Sequence, residues 1–449
     1  MKKYEMIVIS IKKQIASGDL REGSKLPSIE NGARLFHCSK GTVQRAYNQL
    51  LDEHIIYVKK HSGFYVAKAI DLSAIPEDTY NLTTGNTFVN YFPLDKAQTS
   101  LVQALENYQY QSLNYELQGV PSLLQAIEKH LYNRNIFTST DAIFVTQGIH
   151  QTFTSLCNLY LNEGDFVLVE NPSYSYTVQF LQKHHIPVKL IERTQDGLSL
   201  TQLEVLFKSN HIKFFYTIPR NHNPLGTHLN KKQIQAIAAL AKKYNVIIIE
   251  DDYFSEGGFN SDYQTIFENA RDNCIYLSSF TKFIPYLRIG YMITPTLLTK
   301  DIRDMIQNYY VDAYFAPAMI SQATLEIVLK SNLLHQFTPF FHRNLVEKKM
   351  VLNKLTSNWN PNVIQHIPSN EGFYSIMILD TSITIDTLKT ELAKKNILVT
   401  STKQAFFDKN HPYINSIRIS VARINVEDLP YILDIIYQTA CDLYQRKKL

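Results

Sequence analysis

Two kinds of apolar pattern divide the chain. In the first 50 residues apolar positions recur three and four residues apart, as in Val8, Ile11 and Ile15, which is the spacing of one buried helix face. Further along, apolar residues form short continuous runs rich in β-branched side chains, which are typical of strands buried on both faces of a parallel sheet. These runs are residues 143–146, 167–169, 214–218 and 246–249. The pattern predicts a small helical module followed by an α/β body.

The helical module has the order of a winged helix-turn-helix. Ser28 follows a proline and is a good cap for a short helix, and a second helix begins near Ser39 with an apolar stripe on one face and long polar side chains on the other. Residues 55–58 and 64–66 then predict a hairpin with a basic tip. A helical dimerisation module is the alternative, but it is less specific than this order of elements. The side chains expected to contact DNA are Ser28, Lys40, Thr42, Gln44, Arg45, Lys59, Lys60 and His61.

Charge separates the same two regions. Residues 1–68 hold twelve Lys and Arg against six Asp and Glu, a net charge of +6, so the remainder carries −2 because the whole chain totals +4. A basic module beside a slightly acidic body indicates that the module contacts a polyanion such as double-stranded DNA.

The cysteines and the hydropathy of the chain indicate the cellular compartment. The four cysteines are scattered without a C-x-x-C pair, which favours a reducing cytosol and argues against a disulfide framework or a metal site. No apolar run approaches membrane-spanning length. We therefore expect a cytoplasmic protein without a metal and without a membrane partner.

A lysine follows the hydroxyl-rich end of another short apolar stretch. Ser279 precedes Lys282, and Arg288 comes six residues after the lysine. A lysine in such surroundings can attack a carbonyl when burial and nearby cations lower its pKa. An isolated loop lysine would instead extend into solvent, so the interpretation depends on a second stretch.

That second stretch is the acidic end of the run at residues 246–249. Glu250, Asp251 and Asp252 follow it directly, and the carboxyl ends of parallel strands form the crevice where α/β sheets bind ligands. Pyridoxal phosphate (PLP) requires an acid at its ring nitrogen, a lysine for its Schiff base, and hydroxyls and an arginine for its phosphate. The two stretches together therefore predict a PLP site built on Lys282.

With these residues in view, residues 113–295 resemble the fold type I aminotransferases, and the whole chain resembles the MocR subgroup of GntR-family bacterial regulators. The GntR phrases lie in the family's order at residues 17–20, 25–28 and 41–47. The aminotransferase phrases lie at residues 113–123, 143–150 and 222–226. One departure is Glu30, where the family usually has an arginine that touches DNA; an acid there would repel phosphate.

The resemblance implies roles for the site residues. Asp251, rather than Glu250 or Asp252, would pair with the ring nitrogen of PLP, and Asn223 and Tyr253 would contact its phenolate oxygen. The resemblance gives Tyr174 to the cofactor ring, Gly148, Ile149, His150, Ser279 and Arg288 to its phosphate, and Arg418 to the carboxylate of an effector. Arg418 facing solvent on a strand is the alternative for that residue.

The prediction is an α/β protein with four segments. A GntR-type winged helix-turn-helix domain spans residues 1–68, and a linker follows at residues 69–93. A fold type I, PLP-binding, aminotransferase-like large domain with a mixed, mostly parallel sheet spans residues 94–330. A small α+β domain spans residues 331–449.

The predicted function is transcription regulation. The chain would be a homodimer, because fold type I sites form at a subunit interface, and its two winged helices would bind paired half-sites of an operator. It would sense PLP itself, or an amine or amino-acid effector, through a Lys282 aldimine. One alternative is an active PLP-dependent aminotransferase with an accessory DNA-binding module. Another is a degenerate body without cofactor, against which the intact set of site residues argues.

Overall fold

The structure is a computed structural model, and it describes residues 3–52, 55–59, 62–67, 79–87, 92–110, 117–209, 211–257, 263–310 and 317–446. The chain divides into two compact units, Met1–Asp78 and Thr79–Leu449. Lys60 and His61 of the predicted wing lie outside the described residues, as do residues 113–116 of the aminotransferase motif and most of the predicted linker. No helix within the described ranges has the length and apolar character needed to cross a bilayer.

The first unit has the predicted elements. Three helices precede a hairpin: α1 (Lys3–Ala16), α2 (Ile29–Leu35), α3 (Lys40–Asp52), β1 (Ile56–Lys59) and β2 (Gly63–Val66). The hydroxyl of Ser28 caps α2 by accepting a hydrogen bond from the Asn31 backbone N–H at 3.2 Å. This order confirms the winged helix-turn-helix fold.

The core of the first unit explains its stability. The apolar stripe of α3 is fully buried, and it packs against the buried side chains Ile7, Val8 and Ile11 of α1. Tyr47 also donates a hydrogen bond from its hydroxyl to the Pro27 carbonyl at 3.0 Å, so its polar end is satisfied inside the core. The opposite face of α3 is thereby left to solvent.

The second unit combines two sheets with surrounding helices. Its main strands are β4 (Ile143–Thr146), β5 (Phe166–Asn171), β6 (Val188–Thr194), β7 (Gly197–Leu198), β8 (Ile212–Thr217), β9 (Ile247–Asp252), β10 (Cys274–Ser279) and β11 (Gly290–Ile293). Its helices before the small domain are α4 (Leu94–Asn107), α5 (Pro121–Tyr132), α6 (Ile149–Tyr160), α7 (Ser175–Lys183), α8 (Leu200–Ser209), α9 (Lys231–Tyr244), α10 (Ile266–Asn269), α11 (Thr296–Tyr310) and α12 (Met319–Lys330).

The large sheet is mixed and mostly parallel, as predicted. Within the described residues eight strands run in the order β4-β11-β10-β9-β8-β5-β6-β7, and β5, β6, β8, β9 and β10 pair in parallel. Strand β11 is antiparallel to both of its neighbours. Ile248 and Ile249, which point to opposite faces, are both fully buried. The apolar runs were therefore correctly interpreted as strands covered on both sides.

A smaller α+β region follows. Its elements are α13 (Leu333–Thr356), β12 (Ile364–Ile367), β13 (Tyr374–Leu379), α14 (Ile385–Ala393), β14 (Ile397–Leu398), β15 (Thr400–Ser401), β16 (Ser416–Ser420) and α15 (Leu429–Arg446). Strands β12, β13, β16 and β15 form an antiparallel sheet in that order. The boundary near residue 330 between the two domains of this unit stays a prediction.

Residues 79–87, which the sequence placed in the linker, lie within the second unit. Strand β3 (Tyr80–Asn81) pairs in parallel with β14, and Leu82 is fully buried. Two residues of strand carry too little periodicity to be recognised in a sequence, so this correction needed the tertiary structure. The segment matters because it lines the candidate site.

Candidate functional site

The three consecutive acids at the end of strand β9 have different hydrogen-bond partners. Because side chains alternate along a strand, Glu250 and Asp252 point away from Asp251. Glu250 accepts hydrogen bonds from two backbone N–H groups at the start of α10, and Asp252 forms a buried ion pair with Arg220. Of the three, Asp251 is the acid that lines the cavity at the carboxyl ends of the strands, as the resemblance implied.

Asp251 is held in a desolvated position. The Tyr216 hydroxyl donates to its Oδ2, and the Tyr253 backbone N–H donates to its Oδ1 at 3.1 Å. Burial raises the pKa of this carboxyl to about 7, and the Tyr216 hydrogen bond opposes that shift. A carboxyl of this kind is well placed to hold a proton shared with a ring nitrogen.

Lys282 follows β10 in a turn that its hydroxyl neighbours stabilise. Ser279 Oγ accepts a hydrogen bond from the Thr281 backbone N–H at 3.2 Å, and Thr281 Oγ1 donates to the Leu287 carbonyl at 3.2 Å. The Lys282 amine donates to Asn86 Oδ1 at 3.0 Å and lies 5.9 Å from the centre of the Tyr253 ring. The amine therefore enters the same cavity as Asp251.

An anion-binding end is built where β4 leads into α6. Gly148 has a φ of +116°, which suits glycine, and no atom lies within 4 Å of the position of a Cβ there. Among the described residues no side chain caps α6, so its first backbone N–H groups are available to an anion. Ile149, His150, Ser279 and Arg288 line the same cavity. Burial and the nearby Arg288 lower the pKa of His150, which keeps that ring neutral.

The remaining predicted residues surround the cavity. Tyr174 and Tyr253 line it, and the Tyr253 hydroxyl donates to the Asn221 carbonyl at 2.7 Å. Arg418 Nη1 donates to Asn223 Oδ1 at 3.0 Å, which leaves the Asn223 amide N–H groups as donors toward the cavity. The guanidinium of Arg418 also lies 4.3 Å from the centre of the Tyr374 ring. It is a cavity residue rather than a solvent-facing one.

The cavity fits PLP. It has a volume of about 420 Å³, and it places an acid, a lysine and an open helix N-terminus with an arginine around one space. These are the groups that PLP requires at its ring nitrogen, its carbonyl and its phosphate. No cluster of three or more potential metal ligands occurs among the described residues.

Sequence reasoning missed several residues of this site. Asn86 and Thr83 lie in the predicted linker, and Tyr374 lies on β13, to which no role in the site was assigned. No local pattern in the sequence marked these residues, and the packing of Gly85, at which a Cβ would lie 1.9 Å from the Tyr374 hydroxyl, is visible only in the structure. A glycine with that close an approach marks packed structure rather than a loop.

In the first unit, α3 exposes the predicted polar side chains. Gln44 Nε2 donates to Asn48 Oδ1 at 2.9 Å, and both side chains are exposed. Lys40 forms an ion pair with Glu30 of α2 at 2.9 Å. The acid that stands where the family usually has an arginine therefore pairs with a lysine that is predicted to contact DNA. The Thr42 backbone N–H and hydroxyl are both engaged with Ser39 at the start of the helix.

Two other cations rest on aromatic rings. The Arg45 guanidinium lies 4.3 Å from the centre of the Tyr4 ring of α1. The Arg45 side chain therefore points toward α1, whereas the sequence predicted that it would lie beside Gln44 on the DNA-facing side of α3. The Lys59 amine lies 4.8 Å from the centre of the Tyr65 ring in the wing. The DNA contacts of all these residues stay predictions.

Fold and site together define a fold type I aminotransferase body in a chain that also carries a winged helix. The family model described as aminotransferase class I and II matches residues 86–436, and that of the bacterial regulatory proteins of the gntR family matches residues 3–66. The chain therefore belongs to the aminotransferase class I and II family and carries a GntR module, which is the MocR arrangement expected from its sequence.

Relatives and solved structures agree with this assignment. The chain is 28% identical to the uncharacterized HTH-type transcriptional regulator YcxD of Bacillus subtilis (strain 168), over 96% of this chain and 98% of that protein. It is similar in fold to the α-aminoadipate aminotransferase LysN of Thermus thermophilus, solved with N-(5'-phosphopyridoxyl)-L-leucine, with a TM-score of 0.73 and 20% identity over 82% of this chain and 93% of the other. An archaeal alanine:glyoxylate aminotransferase superimposes with a TM-score of 0.74 and 20% identity, over 90% and 95% of the two chains.

Proposed function

We propose that this chain is a cytoplasmic, homodimeric transcription regulator that binds PLP at Lys282 and changes its affinity for DNA when a ligand occupies the same site. One observation carries the proposal: a winged helix and a complete set of PLP-binding groups occur in a single chain. The full-length similarity to proteins named as HTH-type transcriptional regulators supports it.

Each pocket residue has a role that follows from its position. Bound PLP supplies an aldehyde that exchanges between a lysine and other amines. The Lys282 amine is the covalent partner, and the Asp251 carboxyl keeps a proton at the ring nitrogen. Arg288, together with the open amides at the start of α6, neutralises the phosphate charge. The amide of Asn223 orients the ring through its phenolate oxygen.

A route from this pocket toward the first unit begins at residues 79–87. Asn86 accepts from the Lys282 amine at 3.0 Å, and the Thr83 carbonyl accepts from Arg418 Nη2 at 2.6 Å. The Thr87 hydroxyl also donates to the Lys282 carbonyl at 3.2 Å. A ligand that takes either cation replaces a bond to this segment, which lies at the start of the second unit. Ligand binding can therefore favour one conformation of the segment over another, which is the requirement for coupling.

The DNA-binding surface would be α3 and the wing. The second helix of a helix-turn-helix enters the major groove with its N-terminal residues, which here include Lys40 and Gln44. Lys59 lies on the adjacent hairpin, where a cation contacts phosphate. Two copies of this surface in a homodimer would address paired half-sites.

An active aminotransferase is the rival function, because Lys282, Asp251, Asn223 and Arg418 also permit transamination. The deciding experiment uses the full-length protein with PLP. Steady turnover of an amino acid with a keto acid is measured beside protection of genomic DNA fragments. Sequence-specific protection without turnover supports the regulator. Turnover at ordinary enzyme rates without specific protection overturns it.

A further inference from the structure

A second cavity adjoins the PLP pocket and shares Lys282, Asn223 and Tyr174 with it. Its volume is about 450 Å³. The charged side chains among its described lining residues are Lys282 and Arg418. With Lys282 committed to the cofactor, one cation remains and no acid accompanies it. The rest of the described lining is mainly hydroxyl and amide groups.

The cationic end of this cavity suits a carboxylate. Arg418 Nε is buried and has no hydrogen-bond partner among the described residues, so the guanidinium retains a free donor. Thr400 lies directly opposite Arg418 in the β15–β16 pair, and its hydroxyl donates at 3.4 Å to the Thr83 carbonyl that also accepts from Arg418 Nη2. An α-carboxylate held here would keep the amine of the same amino acid near Lys282.

The lining of this cavity also carries a pair of exposed amides from two different elements. Gln179 of α7 donates from Nε2 to Gln404 Oε1 at 3.4 Å, and Gln404 lies in the turn that follows β15. Gln179 Nε2 also donates to the Ser175 carbonyl at 3.1 Å. Among the described residues, neither Gln404 Nε2 nor Gln179 Oε1 has a partner. The pair thus offers one donor and one acceptor, which is the complement of a carboxamide.

We propose that this cavity binds an α-amino acid with a neutral carboxamide side chain, with Arg418 at its carboxylate and the Gln179–Gln404 pair at its side chain. This inference rests on the proposed function, since it names the effector of that site. An acidic side chain finds no second cation among the described lining residues, and a basic side chain finds no acid. An apolar side chain that covers the two exposed amides would take them out of water without replacing those hydrogen bonds.

The test compares ligands of nearly equal shape. L-glutamine, L-glutamate, L-norvaline and L-lysine are titrated into the PLP-loaded full-length protein, and binding is followed by the cofactor spectrum. L-glutamine is expected to bind about tenfold more tightly than each of the others, the effect of roughly one net hydrogen bond. Equal or tighter binding of any of the other three overturns the proposal.

Two variants and a control locate the preference. Gln404→Leu is expected to reduce the ratio of glutamine to glutamate affinity toward one, and Gln404→Lys to reverse it by supplying a cation. Gln182→Leu changes another exposed glutamine of α7 that does not line the cavity, and it should keep the wild-type ratio. An unchanged ratio in Gln404→Leu contradicts the role of the amide pair.

A second readout separates this proposal from the proposed function. Thermal unfolding of cofactor-free Lys282→Ala with each amino acid reports binding without any cofactor signal, and without the second cation that a free Lys282 amine would add to the cavity. A larger stabilisation by glutamine than by glutamate supports the assignment even if PLP does not bind, in which case the proposed function fails alone. If PLP and DNA both bind and none of the four amino acids stabilises the protein, the effector assignment fails alone.

Discussion

The two units handle charge in opposite ways. The ion pair between Lys40 and Glu30 in the first unit leaves 66% and 57% of the two side chains exposed, whereas Arg220 and Asp252 in the second unit are 5% and 1% exposed. Water and salt screen the first pair, so it contributes little to stability. The second pair cannot lose one partner without leaving a buried charge, which costs about 3–5 kcal/mol. Because the charges of the first unit are exposed, its affinity for DNA should depend on salt concentration. Because the charges around the cofactor site are buried, that site should depend on pH and on single substitutions.

The largest expected effect comes from Lys282→Ala. The variant should lose all absorbance of the lysine-bound cofactor, because Lys282 is the one lysine among the described lining residues of the pocket. Without ligand it should bind DNA within about twofold of wild type, since the first unit has its own core. Lys242→Ala, at an exposed position of α9, is the matched control. Retention of the wild-type spectrum by Lys282→Ala would show that the assignment of this lysine is wrong.

Next is the pH dependence of Asp251. Its pKa is raised from 3.8 to about 7 by burial, so the native carboxyl holds its proton where the unfolded one has lost it. The unfolding free energy of the cofactor-free protein should therefore fall as pH rises from about 4 to 7, by a few kcal/mol at most, at about 1.4 kcal/mol per pH unit. Asp251→Asn should remove that part of the slope in urea unfolding across this range. An identical slope in both proteins argues against a buried, neutral Asp251. Asp442→Asn, at an exposed site, should match wild type.

Arg418→Ala should remove the group that binds the carboxylate of an amino-acid effector. Loss of a charge-assisted hydrogen bond is worth about 1.5–3 kcal/mol, so the affinity for an amino-acid effector should fall about 10- to 100-fold. Cofactor binding and ligand-free DNA binding should persist. Arg418→Lys keeps the charge without the planar fork and should recover part of the affinity. If wild type responds to PLP alone and to no amino acid, the cofactor is the signal.

The smallest effects belong to the exposed surface of the first unit. Lys59→Ala should weaken binding to all duplexes a few-fold and lower the salt slope of binding by about one, because one phosphate contact is lost. Gln44→Ala should instead change the base preference at one position. Fluorescence anisotropy at several salt concentrations and selection from a randomised duplex pool distinguish the two outcomes. If neither variant differs from wild type, α3 and the wing are not the DNA-binding surface.

The contrast between the units also explains what the sequence could predict. The apolar stripe of α3 and the buried runs of β9 and β10 are local patterns. The helix and the two strands could therefore be predicted from the sequence, together with the strand ends near which Asp251 and Lys282 lie. Strand β3 has only two residues and forms through pairing with β14, about 300 residues later in the chain. Asn86, Thr83 and the Gln179–Gln404 pair acquire their meaning only from such distant contacts. Long-range contacts between short irregular segments leave no periodic trace.

Coupling between the pocket and DNA is the central claim, and one measurement tests it most directly. The affinity of the full-length protein for a genomic fragment that it protects is measured without PLP, with PLP, and with PLP and L-glutamine, in wild type and in Lys282→Ala. We predict a change of at least about fivefold in wild type, the lower end of typical coupling, and none in the variant. An affinity that neither PLP nor any amine alters in wild type, together with steady transamination, would contradict the account and identify an enzyme.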